Sequence, residues 1–242
     1  MNKVIALALL PAIILLYYTY QQDKLQREPV KEVVKGFFFG ALSVLVSLLI
    51  SVPFMSMGLF PMELGSFPDA VRQAFLGAAV PEETAKLLML WLLLRNSRYF
   101  DERMDGIVYA VSVGMGFAAF ENVEYLLASG SDWVTVGLGR ALMAIPGHFG
   151  FAVVMGYYYS LYRFDRAHSR SAGLKMWLYP VLGHGLYDTV AMTASLDESV
   201  SGALTLALVL FCFWLLKTSR KKMQEHLLAD NTSPVDVTDL EA

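Results

Sequence analysis

Apolar residues along this chain come in long blocks. Seven runs stand out, at about 4–20, 36–60, 71–94, 106–128, 138–162, 174–195 and 200–216, separated by short segments in which charges gather. Most reach or approach the roughly 20 residues that a helix needs to cross about 30 Å of hydrocarbon. The pattern predicts an all-α fold, a polytopic membrane helix bundle of about seven transmembrane helices. Lys3 ahead of Val4 to Leu16 has the look of a signal peptide, but Tyr17-Tyr18-Thr19-Tyr20-Gln21-Gln22 follows with no small-residue cleavage site. The first run therefore reads as a retained helix.

The polar connections orient the bundle. Loop 21–35 holds four Lys and Arg residues, loop 95–105 three, loop 163–175 four and the segment from Lys217 to Lys222 four, which is fifteen of the nineteen in the chain. The intervening connections near 61–70, 129–137 and 196–199 hold none. Under the positive-inside rule the N-terminus is outside, the odd-numbered loops and the C-terminus are cytoplasmic, and the protein is a multi-pass component of the cell membrane. The division expected is a transmembrane domain over 1–222 and an acidic, disordered cytoplasmic tail over 223–242. Composition agrees: 56% of the residues are hydrophobic and 17% charged, against about 45–50% and about 25% in soluble domains, and mean hydropathy is +0.48. A formal charge of −3, with no basic stripe, argues against nucleic acid as a partner. The single cysteine, Cys212, rules out an intrachain disulfide and a cysteine-rich zinc module.

Four of the runs carry ionisable groups deep inside. The third has Pro81-Glu82-Glu83-Thr84-Ala85-Lys86, the fourth Glu121-Asn122 and Glu124, the fifth Arg140 and Pro146-Gly147-His148, and the sixth Pro180, His184 and Asp188. A charged side chain at the bilayer centre costs about 2.5–3.5 kcal/mol on insertion scales. At the α-helical rise Glu82, Glu121, His148 and His184 lie roughly 16, 10, 15 and 16 Å below the outer ends of their helices, so helices of alternating direction bring three glutamates and two histidines to one layer. Lys86 stands three and four residues from the acid pair and can neutralise either member. Asp188, one turn after His184, can fix that ring's tautomer. Pro81 suits a first helical position, and the three prolines just ahead of the polar residues suggest broken or kinked helices around a water-filled cavity.

Each feature has a plainer reading. Lys86 with one glutamate can be a structural ion pair, a lone intramembrane histidine is usually an interhelical hydrogen bonder, and Glu124 and Arg140 sit close enough to helix ends to snorkel. The shared depth of five groups favours chemistry. Peptide hydrolysis needs a base for water, a group to receive the oxyanion and an acid for the leaving amine. Glu82 or Glu83 suits the base and acid, and His148 and His184 suit oxyanion stabilisation or metal binding. A two-histidine, one-glutamate set is a zinc hydrolase pattern, so the site works with no cofactor or with a divalent metal such as zinc. A proton- or ion-coupled transporter is the rival from another class, but no internal repeat supports it.

Glu82-Glu83-x-x-Lys86, Asp101 to Tyr109 leading into Gly116-Phe117-x-x-x-Glu121-Asn122, Arg140 with His148 and Gly156-Tyr157, and His184-Gly-Leu-Tyr187-Asp188 resemble, in order and spacing, the PrsW family of intramembrane proteases. The resemblance covers about 28–190. It extends to the broader group of CAAX prenyl endopeptidases and Abi putative membrane proteases, with a double-glutamate motif, a Phe-x-x-x-polar motif and two histidine motifs. Glu121 stands where prenyl endopeptidases usually have His or Arg, which favours PrsW over a CAAX enzyme. The resemblance implies a membrane-embedded, glutamate- or metal-dependent endoprotease. Its catalytic residues are Glu82, Glu83, Glu121, His148 and His184, supported by Lys86, Asn122 and Asp188. Its implied reaction is site-1 cleavage of a single-pass, membrane-anchored anti-sigma factor in regulated intramembrane proteolysis, within a stress response.

Overall fold

The structure, a computed structural model, describes residues 2–165, 167, 169–233 and 235. Among them every regular element is helical: α1 Asn2–Gln22, α2 Val30–Ser56, α3 Phe67–Arg72, a π-helical stretch Gln73–Ala79, α4 Val80–Leu94, α5 Arg103–Ala128, α6 Trp133–Leu142, α7 Ala144–Phe164, α8 Ser169–Leu196 and α9 Glu198–Thr232, with one turn of 3₁₀ helix at Gly130–Asp132. Since α3, the π stretch and α4 form one rod, and α6 and α7 occupy the fifth apolar run, seven rods follow the seven runs. Five segments among the described residues are long and apolar enough to cross a bilayer. The other two rods, 67–94 and 169–196, fall short in apolarity because they carry Glu82, Glu83 and Lys86, and His184 and Asp188.

α5 is the axle of the bundle. Met104 through Ala119 are all buried, because α2, α7 and α1 surround the helix. Small residues permit that crowding: a Cβ on Gly116 would run into the Phe37 carbonyl oxygen of α2, and one on Gly40 of α2 into that of Val113. Without a hydrophobic drive between helices in lipid, such close backbone approach supplies the packing energy. The outer faces of α1, α2 and α9 expose Ile14, Phe38, Leu49 and Trp214, as lipid-facing surfaces should.

Proline chemistry shapes two of the rods. Pro81 has no N–H for the Gly77 carbonyl, and the chain answers with π geometry, in which Val80 N–H reaches back to Phe75 O. Pro81 thus falls in the first turn of α4 with Glu82 and Glu83, as its position suggests, but the π stretch leads into that helix without the expected break. Pro146 likewise has no donor for the Leu142 carbonyl, and there the rod does break, at Met143 with φ −126° and ψ −60°. Pro180 lies inside an uninterrupted α8. The three prolines thus have three outcomes: a π bulge, a break and a continuous helix.

A second departure concerns the tail. α9 continues to Thr232, so residues 223–232, expected to be disordered, are helical. Residues 234 and 236–242 lie outside the described part. Tertiary contacts hold the extension: Asp230 accepts from the backbone N–H groups of Arg103 (3.1 Å) and Met104 (2.9 Å), satisfying two donors at the start of α5 that have no intrahelical acceptor. Its Oδ1 also pairs with the Arg103 guanidinium at 3.1 Å. His226 stacks on Tyr157, ring centroids 4.3 Å apart. At this same end Gln26 donates to Asp101, so the Lys- and Arg-rich connections gather on one side of the bundle.

Candidate active site

α4, α5, α7 and α8 converge with their ionisable groups at one level. Lys86 stands at the centre. Its ammonium is 2.8 Å from Glu83 Oε1, 3.4 Å from Glu82 Oε2 and 3.2 Å from His148 Nδ1, and it lies 4.0 Å from the centroid of the Phe117 ring. An ammonium only donates, so Nδ1 of His148 is the acceptor and Nε2–H donates to Glu121 Oε2 at 3.0 Å. His184 places Nδ1 2.8 Å from Glu83 Oε1 and Nε2 3.3 Å from Asp188 Oδ2. The two imidazoles meet edge to face at 5.1 Å, and Phe151 stacks on His184 at 5.3 Å. Trp177 Nε1 donates to Thr84 Oγ1 at 2.9 Å, which helps set the register of α8 against α4.

The two adjacent glutamates face different ways. Glu82 lines a cavity of about 490 Å³ together with Glu121, Arg140, His148, His184 and Asp188. Glu83 does not line it: its side chain is 1% exposed, it is engaged by Lys86 and His184, and its Oε2 has no hydrogen-bond partner among the described residues. The π stretch contributes Gln73, Gly77 and Ala78 to the wall, and the α6–α7 break contributes Met143 and Ala144. Both proline-induced irregularities therefore border the cavity, where backbone that departs from α geometry is tolerated in a membrane protein. Along α8 the lining continues from His184 through Ala191 and Met192 to Ser195, next to the helix end at Leu196. The cavity thus extends toward the end of the bundle whose connections lack Lys and Arg.

Arg140 departs from the expectation that it snorkels. Its Nη2 reaches Glu121 Oε2 at 2.5 Å, its Nε reaches Asn122 Oδ1 at 2.6 Å, and its guanidinium lies 3.9 Å from the Tyr125 ring centroid. Asn122 is buried and turns its amide to the Ala8 carbonyl of α1 at 3.2 Å, so it anchors Arg140 and α1 and does not line the cavity. Glu124 is exposed and lines no part of it. Sequence reasoning passed over Gln73, whose Oε1 is buried without a partner among the described residues, and quoted Tyr187 only as part of a motif, although both line the cavity. An arginine inside an otherwise uncharged run was the available signal for Arg140; no comparable signal marked Gln73.

The sequence model described as the PrsW family intramembrane metalloprotease matches residues 28–216. The chain belongs to the PrsW family. It is 34% identical to Protease PrsW of Geobacillus kaustophilus over 86% of this chain and 88% of that protein. To Protease PrsW of Bacillus subtilis it is 34% identical over 81% and 85%, and to that of Clostridioides difficile 33% identical over 77% and 78%. No solved structure matches. As a PrsW-family protein it is a membrane peptidase, which sets aside the transporter.

The word metalloprotease in that description can be tested against the donors present. Glu82, Glu83, His148 and His184 each offer a ligand atom, and all four atoms lie within 4.8 Å of one another. Two imidazoles with carboxylates suit zinc, which in hydrolases commonly takes three protein ligands and keeps one position open. The unpartnered Oε2 of Glu83 is a buried oxygen with coordination capacity to spare. The residues fit a divalent metal, with the Lys86 ammonium in contact with three of the four.

Proposed function

We propose that this PrsW-family peptidase performs site-1 cleavage of a single-pass, membrane-anchored anti-sigma factor in regulated intramembrane proteolysis. Its catalytic residues are Glu82, Glu83, Glu121, His148 and His184, with Lys86, Asn122 and Asp188 in support. The observation that carries the reading is the cavity on which Glu82, Glu121, His148 and His184 converge, with its lining extended along α8 to Ser195. We further propose that the N-terminus is outside and the C-terminus cytoplasmic, which the gathering of Lys and Arg at one end supports. The cavity then extends toward the outer face, and the scissile bond lies near the extracytoplasmic end of the substrate span. Unwinding a substrate helix is also easier near its end, since its carbonyls are otherwise hydrogen-bonded.

A zinc-type ion held by Glu83, His148 and His184 would polarise the scissile carbonyl and acidify a water. Glu82, facing the cavity, takes a proton from the water whose oxygen bonds to the carbonyl carbon, and returns it to the amine as the C–N bond breaks. Arg140, anchored by Glu121 and Asn122, presents positive charge to the cavity where the oxyanion develops. Asp188 holds His184 in orientation.

The test is co-expression with a tagged single-pass anti-sigma factor. Wild type should release a fragment, and Glu82→Ala, His148→Ala and His184→Ala should insert and accumulate without releasing it. Continued cleavage by both histidine variants would overturn the assignment of the imidazoles, and no cleavage of any anti-sigma factor tried, alongside cleavage of other membrane-anchored proteins, would overturn the substrate class. Mass spectrometry of the fragment locates the bond: a new terminus in the cytoplasmic half of the substrate span would refute outer-side access.

A further inference from the structure

We infer that Lys86 is a tethered cation in competition with the metal ion, so that its ammonium and a divalent ion are alternative occupants of one donor set. The inference rests on reading Glu83, His148 and His184 as ligands. The ammonium touches Glu83 Oε1 at 2.8 Å, His148 Nδ1 at 3.2 Å and Glu82 Oε2 at 3.4 Å. These residues belong to the one group of described side chains whose donor atoms come together closely enough to coordinate an ion.

Two physical facts make the occupancies exclusive. A neutral imidazole has one unprotonated nitrogen with one in-plane lone pair. In His148 that nitrogen is Nδ1 and its lone pair is taken by Lys86, while Nε2–H is engaged by Glu121. A metal bound through Nδ1 must displace the ammonium, and one bound through Nε2 leaves the ring proton on Nδ1, where it faces the ammonium as donor against donor. In addition, a doubly charged ion among these donors would face a charged ammonium across a few ångströms of low-dielectric interior, where repulsion is strong. The Phe117 face, already 4.0 Å from Nζ, gives the ammonium a favourable contact that does not depend on the donor set. Without metal, Lys86 supplies positive charge between Glu82 at the cavity wall and the buried Glu83. With metal it must withdraw, and its pull on the donors weakens metal affinity.

The experiment uses the full chain in detergent, stripped with chelator and titrated with Zn²⁺. Calorimetric affinity and thermal unfolding are read for wild type, Lys86→Met, Lys86→Gln and Lys86→Arg. Lys86→Met and Lys86→Gln should bind Zn²⁺ at least about tenfold more tightly than wild type. Both should be less stable than wild type without Zn²⁺ and should gain more Tm from it, whereas Lys86→Arg should keep the wild-type response. Gln can still donate to Glu83, so it remains informative if Met prevents folding. Adding His184→Ala to Lys86→Gln should abolish the gain; a gain that persists would place the zinc elsewhere and overturn the inference. Equal or weaker affinity in both neutral variants would overturn the competition while leaving the ligand assignment intact. No Zn²⁺ binding by any variant would overturn both.

Discussion

Neighbouring residues on a helix point about 100° apart, and that rotation gives Glu82 and Glu83 different surroundings. Glu82 is 14% exposed and faces the cavity, whereas Glu83 is 1% exposed and packs between Lys86 and His184. Glu82→Gln should therefore abolish cleavage at nearly unchanged Tm. Glu83→Gln should abolish cleavage and also cost about 3 kcal/mol, the scale for removing one partner of a buried charge pair. Thermal unfolding beside the cleavage assay separates the two. Equal destabilisation by both substitutions would mean that the glutamates are not divided between cavity and core. From sequence the pair was legible as two buried acids near a lysine, but the choice between them depended on which way α4 is rotated.

The elements carry a second contrast. Gly40 and Gly116 mark where α2 and α5 touch backbone to backbone, and a methyl group at either would meet a carbonyl oxygen on the opposite helix. Gly40→Ala and Gly116→Ala should each cost about 1–3 kcal/mol, the range for overpacking. A methyl group added at Gly202 in α9 would have nothing within 4 Å, so Gly202→Ala should be neutral or stabilising, by up to about 1 kcal/mol of helix propensity. Differential scanning calorimetry in detergent checks both signs. The number of rods was readable because each apolar run is a local property of the chain. The break at Met143 was not, since Pro81, Pro146 and Pro180 look alike in sequence and produce a π bulge, a break and a continuous helix.

At the scale of the whole molecule, the end opposite the cavity gathers carboxylates where α1, α2, α5 and α9 meet. Burial raises Asp23 from 3.8 to about 6, Glu28 from 4.5 to about 7 despite the Tyr109 hydroxyl donating to it, and Glu102 from 4.5 to about 7. With raised values the folded state holds more protons than the unfolded state, so stability falls as pH rises. This contribution is complete below about pH 4, where both states are protonated, and is lost as pH passes through 6 and 7. The Tm in detergent should drop by a few degrees between pH 5 and pH 8, and Glu28→Gln should flatten that slope. A Tm that rises over this interval would contradict the assignment. Orientation is tested separately: single cysteines near Asp132 and Asp197, in a background with Cys212 replaced, should react with an impermeant reagent from outside intact cells. Labelling of Asp132 only after permeabilisation would invert the bundle.

The sequence by itself determined the class of the protein, its helix count and the inventory of its chemistry. The physical reason is that the bilayer acts on each segment locally: a run either has the length and apolarity to cross, or it does not, and every acid or histidine inside one is conspicuous by its cost. The motifs around Glu82, Glu121, His148 and His184 were local as well, and were enough to reach the family. The tertiary structure decided who touches whom. Glu121 with Arg140, Lys86 with His148, Glu83 with His184 and Asp230 with the start of α5 all join different helices. Each pairing depends on the rotation, depth and tilt of two rods, and those follow from packing around α5. For the same reason polar composition alone misjudged residues 223–232: their helix is held by neighbours distant in the chain, with His226 on Tyr157 and Asp230 on Arg103.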